Sequence, residues 1–154
     1  MKISCGIIII NELNEIFLAH STGNDFFDIP KGLLEENELP INCAIRECFE
    51  ETSILLKEEN VSELGLFPYN KEKNLHLFYT KVKKANILID KLVCSSFFKD
   101  YYTQQMRPEA DFFKWIDINE IEGNCAKSME KLLTHIKSKN LLSNTKLIIS
   151  DNRF

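Results

Sequence analysis

Thirteen residues, PINCAIRECFEET from Pro40 to Thr52, constrain the fold more than any other stretch of the chain. Ile41, Ala44, Ile45, Cys48 and Thr52 recur at helical spacing, and Pro40 suits the first helical position, where a missing N–H costs nothing. At about 100° per residue these side chains take one side of a helix, and Glu47, Glu50 and Glu51 fall within an arc of about 100° on the other. The first face must lie on an apolar surface; the acidic face must not. Like charges at i,i+3 and i,i+4 cost a few tenths of a kcal/mol per pair on a bare helix. The cluster therefore asks for an offsetting charge. A hard divalent ion such as Mg²⁺ supplies one, since it takes a few carboxylates together with water and phosphate oxygens. Solvated surface glutamates are the ordinary alternative for a Glu-rich helix.

The rest of the chain reads as strands around this helix. β-branched residues fill Ile3 to Ile10, and "IFLAHS" follows the polar "NELNE", which predicts a hairpin. "TGNDFFDIPKG" reads as a loop with turn residues at both ends. "ELGLFPYN" and "NLHLFYTKV" alternate as strands about a lysine-bearing turn, and "DFFKWIDI" is a later strand. The irregular "DKLVCSSFFKDYYTQQMRPEA" is assigned to a long loop. From Ala126 to about Lys139, Met129, Leu132, Leu133 and Ile136 share one face of a closing helix. The tail from about residue 141 has no decisive pattern. This order predicts an α/β fold, a mixed β-sheet covered by helices. With 154 residues and 44% hydrophobic content, one domain over 1–154 is expected.

Charge and cysteine content narrow the function classes. A net charge of −4 gives no general attraction to nucleic acid or anionic lipid, so neither DNA nor a membrane is an expected partner. Five cysteines, odd in number and without a CxxC pair, point to reduced core thiols rather than disulfides or zinc. The apolar run at the N-terminus stops at Asn11 with no cleavage site after it, and no segment approaches the roughly 20 apolar residues of a membrane span. A cytoplasmic location is expected.

Spacing around the helix sharpens the reading. Gly32, five residues, Glu38, seven residues, then Arg46, Glu47, Cys48, Phe49, Glu50, Glu51, Thr52, Ser53 and Ile54 resemble the Nudix box. Chance agreement at its six matched glycine and polar positions is on the order of 10⁻⁷ per start site. Ser53 stands where the box closes with glycine, a position that commonly turns left-handed, where serine costs about 1 kcal/mol. Leu39 is also a poor N-cap. The resemblance implies a Nudix-type α/β/α sandwich built on the box helix and a C-terminal helix. It also implies a metal-dependent pyrophosphohydrolase that cleaves a nucleoside diphosphate linked to another group. By analogy Glu47, Glu50 and Glu51, with the Gly32 carbonyl, bind Mg²⁺ or Mn²⁺. Arg46 and Glu38 are expected to support them structurally.

Further residues follow from shorter likenesses. Lys31 in "DIPKG" can hold substrate phosphate, and Pro-Lys-Gly resembles dinucleoside polyphosphate hydrolases and messenger-RNA decapping enzymes. Glu109 stands six residues before Trp115, similar to an acid of bacterial RNA pyrophosphohydrolases, which makes it the expected further metal ligand or base; Asp111 is the alternative. Phe27 and Tyr79 are candidates for substrate stacking, with Phe26, Tyr101 and Tyr102 as further aromatics. His76 faces away from Leu75 and Leu77 and reads as structural. Lys71, Lys73, Lys81, Lys83 and Lys84 form a basic hairpin edge. Only 31 residues precede the box glycine, which favours a dinucleoside polyphosphate or an RNA 5′ end over ADP-ribose as substrate. Nucleoside triphosphate sanitation or an ADP-ribose-type hydrolase is the alternative, and a nucleotide-binding module without turnover is the alternative of a different class.

Overall fold

The structure, a computed structural model, describes residues 1–142 and the backbone of Leu147 and Ile148. Strands β1 (Lys2–Asn11) and β2 (Glu15–Ser21) form the expected hairpin. Its turn is fixed by Asn11, whose side-chain oxygen accepts the backbone N–H groups of Leu13 and Glu15. The strands pair at Ile10 and Ile16 and then splay apart. Here the structure corrects the loop expected over 22–32. Strand β3 (Phe27–Asp28) pairs with Ala19 and His20, and β4 (Lys31–Leu33) pairs with Ser4 to Gly6, so the two fill the wedge. Strands this short are below the length at which alternation can be read.

β6 (Lys73–Val82) runs parallel to β1 along its whole length, and β5 (Ser62–Pro68) returns antiparallel to β6. A register shift in β5 falls at Gly65, whose φ of +133° an L side chain would resist. β9 (Ala110–Asp117) closes the free edge of β2. β10 (Leu147–Ile148) pairs parallel with Lys81 and Val82. Apart from that strand's backbone, the undecided tail lies outside the described residues beyond Leu142.

The sheet is sandwiched between two helices, as the layer argument requires. α1 (Pro40–Thr52) spans the predicted residues, and its Cys43, Ala44 and Cys48 pack on Cys5, Ile7 and Ile9 of β1. The alternate residue Ile8 faces the other layer, against Met129, Leu132, Leu133 and Ile136 of α2 (Lys127–Ser138). All five cysteines are buried free thiols. No helix among the described residues is long and apolar enough to cross a membrane.

The long loop expected near residues 90–110 is corrected in part. β7 (Phe97–Lys99) and β8 (Met106–Pro108) make a separate two-stranded hairpin. Asp100 builds its turn: one carboxylate oxygen accepts the N–H of Tyr102 at 2.8 Å and of Thr103 at 3.1 Å. The other takes Nη1 of Arg107 at 2.8 Å.

Candidate active site

α1 is capped unequally. Leu39 offers no side-chain cap at its start, as expected. Ser53 at its end is left-handed, with φ of +65° and its N–H on the Phe49 carbonyl. The missing glycine is compensated: the N–H of Val93 donates to Ser53 Oγ at 3.1 Å, and Ser95 donates N–H and hydroxyl to the Glu50 carbonyl at 2.7 and 3.1 Å. This loop thereby satisfies a helix-terminal carbonyl that would otherwise need water.

The polar face of α1 is organised by Arg46. Its fork takes Glu38 through two bonds of 2.7 and 3.0 Å, with Glu47 at 2.8 Å and Glu50 at 3.3 Å. It also donates to the Leu33 carbonyl at 3.2 Å. Charge-assisted pairing with Arg46 holds the Glu38 carboxyl below its ordinary pKa. Glu47 is folded back onto Gly32 so closely that any β-carbon there would collide with its carboxylate. The box glycine therefore leaves room for an acid, not for a left-handed turn. Burial raises the Glu47 pKa, Arg46 opposes the rise, and Glu50 and Glu109 add to it.

Glu51 faces a cleft of about 650 Å³ that Asp28, Lys31 and Glu109 also line. Burial puts its pKa well above the ordinary value; Lys31 opposes this, while Glu47, Glu109 and Asp28 reinforce it. Lys31 pairs with Asp28 at 3.0 Å. Burial works against the Lys31 ammonium, but the Asp28 carboxylate outweighs it and raises the lysine pKa. Glu109 sits between β8 and β9, its N–H on the Ser96 carbonyl and its own carbonyl on the N–H of Thr22. The structure thus brings Glu109 towards Glu47 and Glu51. Asp111 is held instead by Nδ1 of His20 at 2.6 Å.

Two expected stacking residues are not brought to this cleft. Tyr79 belongs to the buried α2-side cluster with Leu75 and Leu77, because strand alternation turns it there. Phe27 is buried in the same cluster, its ring covered by the Lys114 ammonium at 4.0 Å. His76, on the opposite face of β6, bonds Glu63 at 2.8 Å.

A match to known families can be placed on this geometry. The sequence profile of the NUDIX domain covers residues 2–136. The chain belongs to the NUDIX domain family. It is a Nudix hydrolase on the mixed-sheet fold that family shares. It is 32% identical over 126 residues to an RNA pyrophosphohydrolase of Pelagibacter ubique, an alignment covering 75% of this chain and 76% of that protein. An uncharacterized 17.7 kDa protein of Enterobacteria phage T4 is 29% identical over 143 residues, 87% of this chain and 94% of the phage protein. Among solved structures, a C. elegans Ap4A hydrolase superposes with a TM-score of 0.60 at 18% identity, covering 91% of this chain and 98% of that one.

The Nudix box supplies the right donors for a hard divalent ion, the carboxylates of Glu47, Glu50 and Glu51 and the Gly32 carbonyl, and Glu109, outside the box, adds another carboxylate to the cleft. Two observations fit such an ion. The Glu47–Gly32 cradle admits no side chain, and Glu51 and Glu47 are half-buried acids whose pKa values are raised despite Lys31 and Arg46 nearby. Among the described residues, however, no three His, Cys, Asp or Glu side chains already converge on one point, because Arg46 draws Glu47 and Glu50 to itself. Sequence reasoning did not single out Asp28, Thr22, Asp100 and Arg107, which also line the cleft. Asp28 was signalled by its i,i+3 spacing to Lys31. Thr22 becomes visible only once Glu109 is seen to pair with its backbone.

Proposed function

We propose that this Nudix hydrolase cleaves a phosphoanhydride in a nucleotide polyphosphate, with a dinucleoside polyphosphate or an RNA 5′ end as the leading substrate. Residues 1–154 act as one catalytic domain. The observation that carries the reading is the common cleft of Glu51, Glu109 and Lys31 beside the Glu47–Gly32 cradle. The names of two relatives, an RNA pyrophosphohydrolase and an Ap4A hydrolase, support the substrate class.

Glu47, Glu50, Glu51 and the Gly32 carbonyl hold Mg²⁺ or Mn²⁺, with Glu109 as a further ligand or base. When bound, the ion neutralises phosphate charge and makes nearby water a stronger nucleophile. Arg46 and Glu38 keep the helix carboxylates in place through the planar guanidinium fork. Lys31, steadied by Asp28, offers a point charge to a substrate phosphate. As the base, Glu109 takes the proton of the attacking water.

The test is a product assay with Mg²⁺ or Mn²⁺ on dinucleoside polyphosphates, triphosphorylated RNA, nucleoside triphosphates and ADP-ribose. Fastest release from the first two is expected. Turnover confined to the last two replaces the substrate class, and binding without turnover across the set replaces the enzyme reading with a binding module.

A further inference from the structure

Lys31 shares its cleft with two carboxylates of its own neighbourhood, Asp28 and Glu51, and pairs with one of them. Among the described residues, its ammonium makes an ion pair with Asp28 Oδ2 at 3.0 Å and none with Glu51. Yet Lys31 is close enough to Glu51 to oppose the burial of that carboxylate's charge. On the lysine's side, burial works against the ammonium, Asp28 is the strongest influence in its favour, and Glu51 is a lesser one. A lysine carries a compact charge on a flexible stem, so its partner is decided by how firmly each acid is built to take it.

The local fold fixes Asp28 for that task. Its Oδ1 accepts the N–H of Ile29 at 2.8 Å, which leaves Oδ2 for Lys31. Between the two charged residues, Ile29 is 1% exposed, and the Pro30 carbonyl accepts the N–H of Ile7 on β1 at 3.0 Å. Both ends of the pair are thereby anchored to the sheet. Gly6, opposite Lys31 on β1, makes room for the lysine stem, since an added β-carbon would sit 3.0 Å from Lys31 Cβ. The Tyr69 ring lies 6.0 Å from the ammonium and offers it a π face. The Lys31 and Asp28 side chains are 21% and 19% exposed, so salt and water screen their attraction only in part.

We propose that Asp28 is a positioning residue: it holds the Lys31 ammonium away from Glu51, so that the Glu51 carboxylate stays open to a divalent cation. The proposal rests on the reading of the α1 glutamates as the cation site. Without the Asp28 charge, the lysine turns to the other acid that its own charge already reaches. An ammonium seated on Glu51 then competes with the cation for the same oxygens and repels it as a like charge. Asp28 acts through Lys31 and is not itself a ligand.

Asp28→Asn tests this, because the amide oxygen still accepts the Ile29 N–H while the charge is gone. In calorimetric titration with Mg²⁺, the substitution is expected to weaken binding by about ten- to hundredfold where Lys31 is present. In the Lys31→Met background it is expected to weaken binding by less than about threefold. An equal loss in both backgrounds overturns the proposal, since Asp28 would then attract the ion directly instead of restraining the lysine. A second readout needs no metal. In chelator-treated protein at neutral pH, Glu51→Gln should raise the melting temperature while Asp28 is present, because it removes the charge of a buried acid. In the Asp28→Asn background the same substitution should lower it, because Glu51 has become the partner of Lys31. A gain of equal size in both backgrounds overturns the proposal. A wild type that binds no Mg²⁺ but shows this reversal of sign would sink the cation reading and keep the hold of Asp28 on Lys31.

Discussion

At the scale of single residues, the site depends on how closely Glu47 approaches Gly32. Gly32 is not at positive φ, so alanine is compatible with its backbone, and the substitution acts through collision with the Glu47 carboxylate alone. Gly32→Ala should leave the protein folded and weaken Mg²⁺ binding by about tenfold or more, as read by calorimetry. Unchanged affinity would place the ion away from Glu47. Glu51 gives a pH prediction. Burial puts its folded pKa well above the ordinary value of 4.5, so between those values the folded state binds the extra proton and stability falls as pH rises. Without metal, Glu51→Gln should match the wild type in melting temperature near pH 4.5 and exceed it at neutral pH. A wild type that gains on the variant as pH rises would reverse the sign of the burial argument. The box glutamates and Arg46 were legible because motif spacing fixes them. Tyr79 and Phe27 were misplaced because an aromatic on a two-sided sheet reads the same whichever layer it faces. Thr22 carried no signal, since its backbone bond to Glu109 joins residues far apart in the chain.

Among the elements, α1 was readable residue by residue from its apolar period and Pro40. Its end was readable only in part. The left-handed Ser53 was expected, but the bond from Val93 joins residues 40 positions apart and has no local signature. That bond changes the stability expected for the box residue. Ser53→Gly relieves about 1 kcal/mol of left-handed strain but loses a hydrogen bond of about the same worth, so the melting temperature should move by less than about 2 °C. Ser53→Ala loses the bond and keeps the strain, and should lower it by about 2–4 °C. A gain of several degrees in Ser53→Gly would mean that the Val93 contact contributes nothing. The β7–β8 hairpin was missed because three-residue strands show no alternation, although Asp100 followed by two tyrosines and a threonine was a turn signal of the kind Asp side chains make.

At the scale of the whole molecule, two helices on opposite faces of a mixed sheet follow from alternation in β1, where Ile8 faces α2 while Ile7 and Ile9 face α1. The insertion of β3 and β4 into the β1–β2 wedge was hidden, because it depends on where a hairpin stops pairing. That insertion carries Asp28, Lys31 and Gly32 to the glutamates of α1, so the fold assembles like charge at one place and leaves Arg46 and Lys31 to offset it only in part. The central claim is that the remaining charge is a divalent-cation site formed in the folded state. Thermal unfolding of the wild type and Glu51→Gln, each titrated with Mg²⁺ after chelator treatment, tests it most directly. At about a hundredfold excess over Kd, linkage stabilises the folded state by about 2.7 kcal/mol, or about 5–10 °C for a chain of this size. The account predicts that rise in the wild type and little or none in Glu51→Gln; a flat wild-type titration, or the same rise in both proteins, would contradict it.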